Sequence, residues 1–185
     1  MPTFILMTKQ WKRRYYIYLL LTIVAGGFLV LILRDTLLPS LVLEVRDTKT
    51  GHLLLSFPVK KGTCFFFQYT HSTAKTLVEE HFQVAGPDDI ILTRMVYSSG
   101  GAGIPDGPPS GANFRIGPDG RFVLEDLNLR FLSLNRIRIA YFYPFLLGLG
   151  GRSYSLSEIA RGKLVDIRAS RWTISIWNRM SGGNG

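Results

Sequence analysis

Residues 64–84 read CFFFQYTHSTAKTLVEEHFQV. Two strand-forming runs flank a short polar connection, Ser72 to Thr76, and that pattern predicts a β-hairpin. Side chains alternate along a strand, so Phe65, Phe67, Tyr69 and His71 share one face. With the turn centred near Ala74 and Lys75, His71 opposes Val78, Tyr69 opposes Glu80, and Phe67 opposes Phe82. Tyr69, His71 and Glu80 then form a polar cluster at the end of an aromatic row. Slipping the register by one residue replaces Glu80 with Glu79 and His81.

Outward from this hairpin the same short alternating runs continue. Strands are predicted at Leu41 to Val45, Leu53 to Phe57 and Ile90 to Val96. Further ones fall at Phe122 to Leu124, Leu127 to Leu134, Arg136 to Tyr143, Leu164 to Ala169 and Trp172 to Trp177. Turn residues punctuate them, as in Gly86-Pro87-Asp88-Asp89, and helical periodicity is confined to a turn near Ser155 to Ala160. Such spacing indicates a mainly β fold, an antiparallel β-sandwich or barrel-like domain over residues 40–178. Residues 99–120 contain seven glycines and four prolines and read as one long loop. The polar, glycine-rich tail at 179–185 reads as disordered.

Upstream, residues 16–33 (YIYLLLTIVAGGFLVLIL) form an uncharged run of eighteen residues. As a helix it would be about 27 Å long, near the hydrocarbon thickness of a bilayer. Trp11, Tyr15, Tyr16 and Tyr18 sit at its start, where amphipathic rings favour headgroups. Lys9, Lys12, Arg13 and Arg14 precede it, and only Arg34 and Asp35 follow closely. The expectation is one N-terminal transmembrane helix at 16–33, with basic residues 1–15 in the cytoplasm and the β domain outside it. A cleaved signal peptide fits less well, because the run is long and LRDTLLPS lacks a small-residue cleavage pattern.

The net charge of +9 divides unevenly. Five basic residues and no acidic ones lie in the first 34 positions; the remaining 151 residues hold 17 basic and 13 acidic side chains. About half of the excess therefore brackets the apolar run, which argues against nucleic-acid binding. Cys64 is the only cysteine, which excludes an intrachain disulfide, a four-cysteine zinc site and a CxxC redox pair.

Three kinds of chemistry compete for the hairpin. His71, His81 and Glu79 or Glu80 offer metal ligands, although strand alternation sets the two histidines on different faces in the first register. Ser72-Thr73-Ala74-Lys75 spells S-x-x-K without its companion motifs, and Gly151-Arg152-Ser153-Tyr154-Ser155 misses the last glycine of a nucleophile elbow. Gly101-Ala102-Gly103-Ile104-Pro105 lacks the third glycine of a dinucleotide loop, and no P-loop lysine follows. With no complete catalytic or cofactor motif, no enzyme activity and no cofactor are expected. Binding is the preferred reading, through Tyr69, Thr70, His71, Ser72, Lys75, Glu79 and Glu80 beside Gly101, Gly103 and Pro105; the alternative is an anchored periplasmic enzyme or metal-binding protein that uses Tyr69, His71, Lys75 and Glu80. A plain hydrogen-bonded network closing the end of a sandwich would use the same side chains. A cell-wall or carbohydrate module rests on fold analogy alone.

Tyr69-Thr70-His71-Ser72, Lys75-Thr76, Val78-Glu79-Glu80 and the Gly101 to Pro105 segment together resemble an uncharacterised bacterial family, domain of unknown function 1850. The likeness spans roughly residues 40–170, and Leu77 stands where a proline would be expected. The resemblance implies an accessory component beside a TAXI-type TRAP transporter. Its partners would be the transporter membrane subunit, the TAXI-type solute-binding protein, or both. Its place would be the bacterial cytoplasmic membrane, held through residues 16–33 with the N-terminus inside.

Overall fold

A computed structural model describes residues 9–37, 40–98 and 111–172. The chain divides into two compact units, residues 1–38 and 39–185.

The first unit contains α1, Lys9–Leu37. Its many leucines, lysines and arginines, without an internal proline, favour one uninterrupted helix. The described side chains of α1, residues 14–29, are all exposed, Tyr16, Leu20 and Phe28 among them. Among the described residues no helix is long and apolar enough to cross a membrane. Those side chains take in only part of the uncharged run 16–33, so the expected anchor is not shown by them.

The second unit begins with β1 (Leu41–Asp47), β2 (Leu53–Val59), β3 (Cys64–Thr70), β4 (Leu77–Gly86) and β5 (Asp89–Tyr97). It continues through β6 (Asn113–Ile116), β7 (Phe122–Phe131), β8 (Leu134–Arg138), β9 (Phe145–Leu149) and β10 (Arg152–Ser155). The short helix α2 (Leu156–Ala160) and β11 (Leu164–Arg171) complete it. One sheet has the order β2-β1-β11-β8 and the other β10-β9-β3-β4-β5-β7-β6. Every pairing is antiparallel. Among the described residues the sheets stay open, so the architecture is sandwich-like and the barrel alternative falls away.

Alternation sets what each strand buries. Leu41, Leu43 and Val45 of β1 meet Val165, Ile167 and Ala169 of β11 in the same core as Phe65, Phe67, Val78 and Phe82. Burying such side chains contributes about 1.5–3 kcal/mol each, before the entropy of ordering them. The β4–β5 turn crosses to the smaller sheet, where Asp88 N–H donates to Ala169 O at 2.8 Å and the Asp88 carboxylate pairs with Arg168.

Four expectations need correction. The run at 122–124 and the run at 127–134 as far as Phe131 form one strand, β7, which passes Asp126 and Asn128 at φ 58° and 47°, while Leu134 opens β8. Asp and Asn tolerate the left-handed region better than most residues, so the ladder shifts there without ending. The run at 136–143 ends as β8 at Arg138. The expected loop at 99–120 holds β6 in its second half, paired to β7. Strands β9 and β10 were not anticipated; they form a hairpin whose turn residues Gly150 and Gly151 lie at φ 59° and 75°. A two-residue turn with positive φ at both positions matches the twist of the flanking strands. The helical turn at 155–160 is α2, capped by Ser155 Oγ accepting from Glu158 N–H at 3.3 Å. The predicted strand at 172–177 is described only at Trp172, where a helical residue follows β11. The tail at 179–185 lies outside the described residues.

Candidate functional site

The β3–β4 hairpin is present, two residues out of the expected register. Phe65 pairs with Phe82, Phe67 with Glu80, Tyr69 with Val78 and Thr70 with Leu77. The turn centres between Thr73 and Ala74, one position earlier than expected. His71 N–H donates to Thr76 O and Lys75 N–H to His71 O, each at 2.9 Å, with Lys75 at φ 56°. A shift of two residues preserves which face each side chain occupies. Tyr69 and Glu80 consequently become diagonal neighbours, and Tyr69 Oη donates to Glu80 Oε1 at 3.1 Å. That settles which glutamate joins Tyr69.

The faces then separate the remaining candidates. On the outer face, Glu79 Oε1 accepts from Arg121 Nη1 at 2.9 Å and from Gln68 Nε2 at 3.5 Å. Burial pushes Glu79 up, but the hydrogen bond and charge of Arg121 outweigh it and hold the carboxyl below its ordinary range. His81 Nε2 lies 3.5 Å from Glu79 Oε2, out of hydrogen-bond alignment. Burial and the Arg94 charge hold His81 low against the pull of Glu79. Outer-face His81 and the turn residue His71 do not converge, so the ligand set His71, His81 and a glutamate is not assembled. Among the described residues no cluster of three or more candidate ligands could hold a metal.

His71 is a turn-forming residue here. Its Nδ1 accepts from Ala74 N–H at 3.1 Å, so a neutral ring carries its proton on Nε2. Lys75 sets Nζ 4.9 Å from the centroid of the Tyr143 ring, a cation–π contact on the far side of the turn. Ser72 and Lys75 are not on a helix, so S-x-x-K lacks the geometry it needs.

Thr70, His71 and Ser72 join Tyr69 and Glu80 around a cavity of about 500 Å³ between the sheets. Phe67, Phe82 and Phe145 make its aromatic wall, while Leu134 and Ile137 close it from β8. Exposed Asn135 and Arg138 stand on its rim. Tyr69 stacks on Phe145 with centroids 5.1 Å apart and planes 7° apart. Burial pushes the Glu80 carboxyl above its ordinary range, and the Tyr69 hydrogen bond offsets part of that. Burial and the Glu80 charge push the Tyr69 hydroxyl up as well. The cavity can thus exclude water from a carboxylate and present it to a ligand of matching size.

Sequence reasoning missed Phe145, Asn135 and Arg138, which reach the cavity only through the antiparallel topology. It also missed Arg121, which neutralises Glu79. No local motif marks these four; pairing of β9 with β3 brings Phe145 beside Tyr69. Gly101, Gly103 and Pro105 lie outside the described residues, so their place relative to the cavity is not seen.

Fold and site together define an open, two-sheet antiparallel domain with a phenol–carboxylate pair in an aromatic cavity. Residues 65–156 match the family model described as Domain of unknown function (DUF1850), and the chain belongs to that family. The matched segment runs from β3 through the first residue of α2 and includes Tyr69, His71 and Glu80. No curated protein and no solved structure is similar enough to count as a match.

Proposed function

We propose that the chain is a membrane-anchored, extracytoplasmic accessory component of a TAXI-type TRAP transporter, and that its β domain recognises a small ligand in the inter-sheet cavity. The observation that carries the ligand reading is Glu80, a half-buried carboxylate in an aromatic cavity with Tyr69 as its hydrogen-bond partner. A fold gains little from such an acid, since its desolvation is repaid only by good partners. Sites that bind ligands keep such groups.

Residues 16–33, with their basic leading flank, support an uncleaved anchor in the bacterial cytoplasmic membrane, N-terminus inside. The transporter assignment rests on the family resemblance. The role is one of binding: the Tyr69 hydroxyl is pushed away from the range in which it would exchange protons at neutral pH.

The test is purification of the full-length tagged chain in mild detergent, with mass spectrometry of what accompanies it. Recovery of a transporter membrane subunit or a solute-binding protein is the expected result. Recovery of the chain alone, under conditions that keep other membrane complexes whole, would sink the accessory reading.

A further inference from the structure

The face around Glu80 narrows the chemistry of the ligand. Across the ladder its neighbours are Phe67 on β3 and Met95 on β5, both buried. Along its own strand the next residue on the same face is Phe82, also buried. Tyr69 supplies one neutral donor to Oε1. Among the described residues no lysine, arginine or histidine pairs with this carboxylate, whereas Glu79, one position earlier, has both Arg121 and His81.

Thr70, His71, Ser72, Asn135 and Arg138 line the same cavity, but Arg138 is exposed on the rim and donates to Gly162 O, so the carboxylate set against Phe67 and Phe82 is complemented by a further cation. The rings favour the same charge, because aromatic faces attract cations. An anion would face the carboxylate, and a neutral donor would leave its charge uncompensated.

We infer that the cavity takes an organic ammonium, a protonated amine on an apolar frame, with the nitrogen at Glu80 and the frame against Phe67, Phe82 and Phe145. This rests on the ligand-recognition reading above and assigns the class of ligand. The carboxylate is the ion-pair partner, Tyr69 orients it, and the apolar walls select the frame.

The test uses the full chain in nanodiscs of neutral lipid, titrated calorimetrically with three probes of one shape. These are phenethylamine, 2-phenylethanol and 3-phenylpropanoate. Phenethylamine should bind about ten-fold or more tighter than 2-phenylethanol, the usual worth of a hydrogen bond to a charged group. Glu80→Gln should abolish that preference, with its melting curve showing that it remains folded. Equal binding of the amine and the alcohol, or tighter binding of 3-phenylpropanoate, would overturn the ammonium assignment and leave ligand recognition standing. Failure of all three probes at millimolar concentration would overturn both, while the transporter partnership would still be decided by co-purification.

Discussion

A β-carbon placed at Gly148 would stand 2.0 Å from Cε1 and 2.1 Å from Cζ of Phe66. The Phe66 ring lies over this glycine because the two residues are cross-strand partners in β3 and β9. Gly148→Ala must displace the ring, so it should cost about 1–3 kcal/mol. In a Phe66→Ala background the same change should cost almost nothing; urea unfolding of the four variants measures the coupling, and equal costs in both backgrounds would exclude the clash. Glu80 behaves oppositely. Its folded pKa is raised, so the folded state holds its proton more tightly than the unfolded chain. Stability therefore falls as pH rises from the ordinary glutamate range through the folded value. Glu80→Gln should melt a few degrees higher than the native chain at pH 7.5, and the gap should close as pH approaches 4.5, the ordinary glutamate value. A lower melting temperature at pH 7.5 would mean that the carboxylate stabilises the fold and is no poised site. The Tyr69–Glu80 pair was legible in the sequence because the register error was two residues, which leaves faces unchanged. His71 lines the same cavity, but its turn-forming bond from Ala74 N–H was not legible, because the turn closes through a left-handed Lys75, which no propensity announces.

Elements built on alternation were the readable ones. β3, β4 and β11 bury alternate positions, whereas β1 and β5 bury nearly continuous apolar runs bounded by turns, and either pattern marks a strand's position. β6 has four exposed residues and β10 none that is buried, so neither has a pattern to read. β9 reads Phe145-Leu146-Leu147-Gly148-Leu149, and its glycine and flanking Pro144 imitate a loop. Its start is fixed by Ser157, buried in α2. Ser157 Oγ accepts from Phe145 N–H at 2.8 Å and donates to Tyr143 O at 3.1 Å. That serine joins α2 to the strand that presents Phe145 to Tyr69. Ser157→Ala leaves the Phe145 N–H without its acceptor, at a cost of about 1–3 kcal/mol. Hydrogen exchange should locate the loss, with Phe145 and its β9 neighbours losing protection while β1 and β11 keep theirs. Uniform loss over both sheets would show that the bond supports the whole domain and does not act locally.

At the scale of the molecule, sequence and structure speak to different units. The β unit was recognisable from turn spacing, and its family from the hairpin, since both are encoded locally. Sheet order was not, because β9 returns to β3 and β11 to β1 from far along the chain. The first unit rests on composition: an uncharged run of eighteen residues behind a basic flank, with exposed apolar side chains over the part described. Under the proposed anchor, lipid would cover those apolar groups. If lipid is that covering, the full chain should stay in the membrane pellet through carbonate extraction. A chain starting at Pro39 should be released to the supernatant with its β-sheet circular dichroism intact. Proteolysis of spheroplasts should then remove the β unit of the full-length protein from outside and spare a tag on the N-terminus. Extraction of the full chain by carbonate would place a protein partner, rather than lipid, over α1. Protection of the β unit in spheroplasts would reverse the orientation drawn from Lys9, Lys12, Arg13 and Arg14 and count against the proposed accessory role.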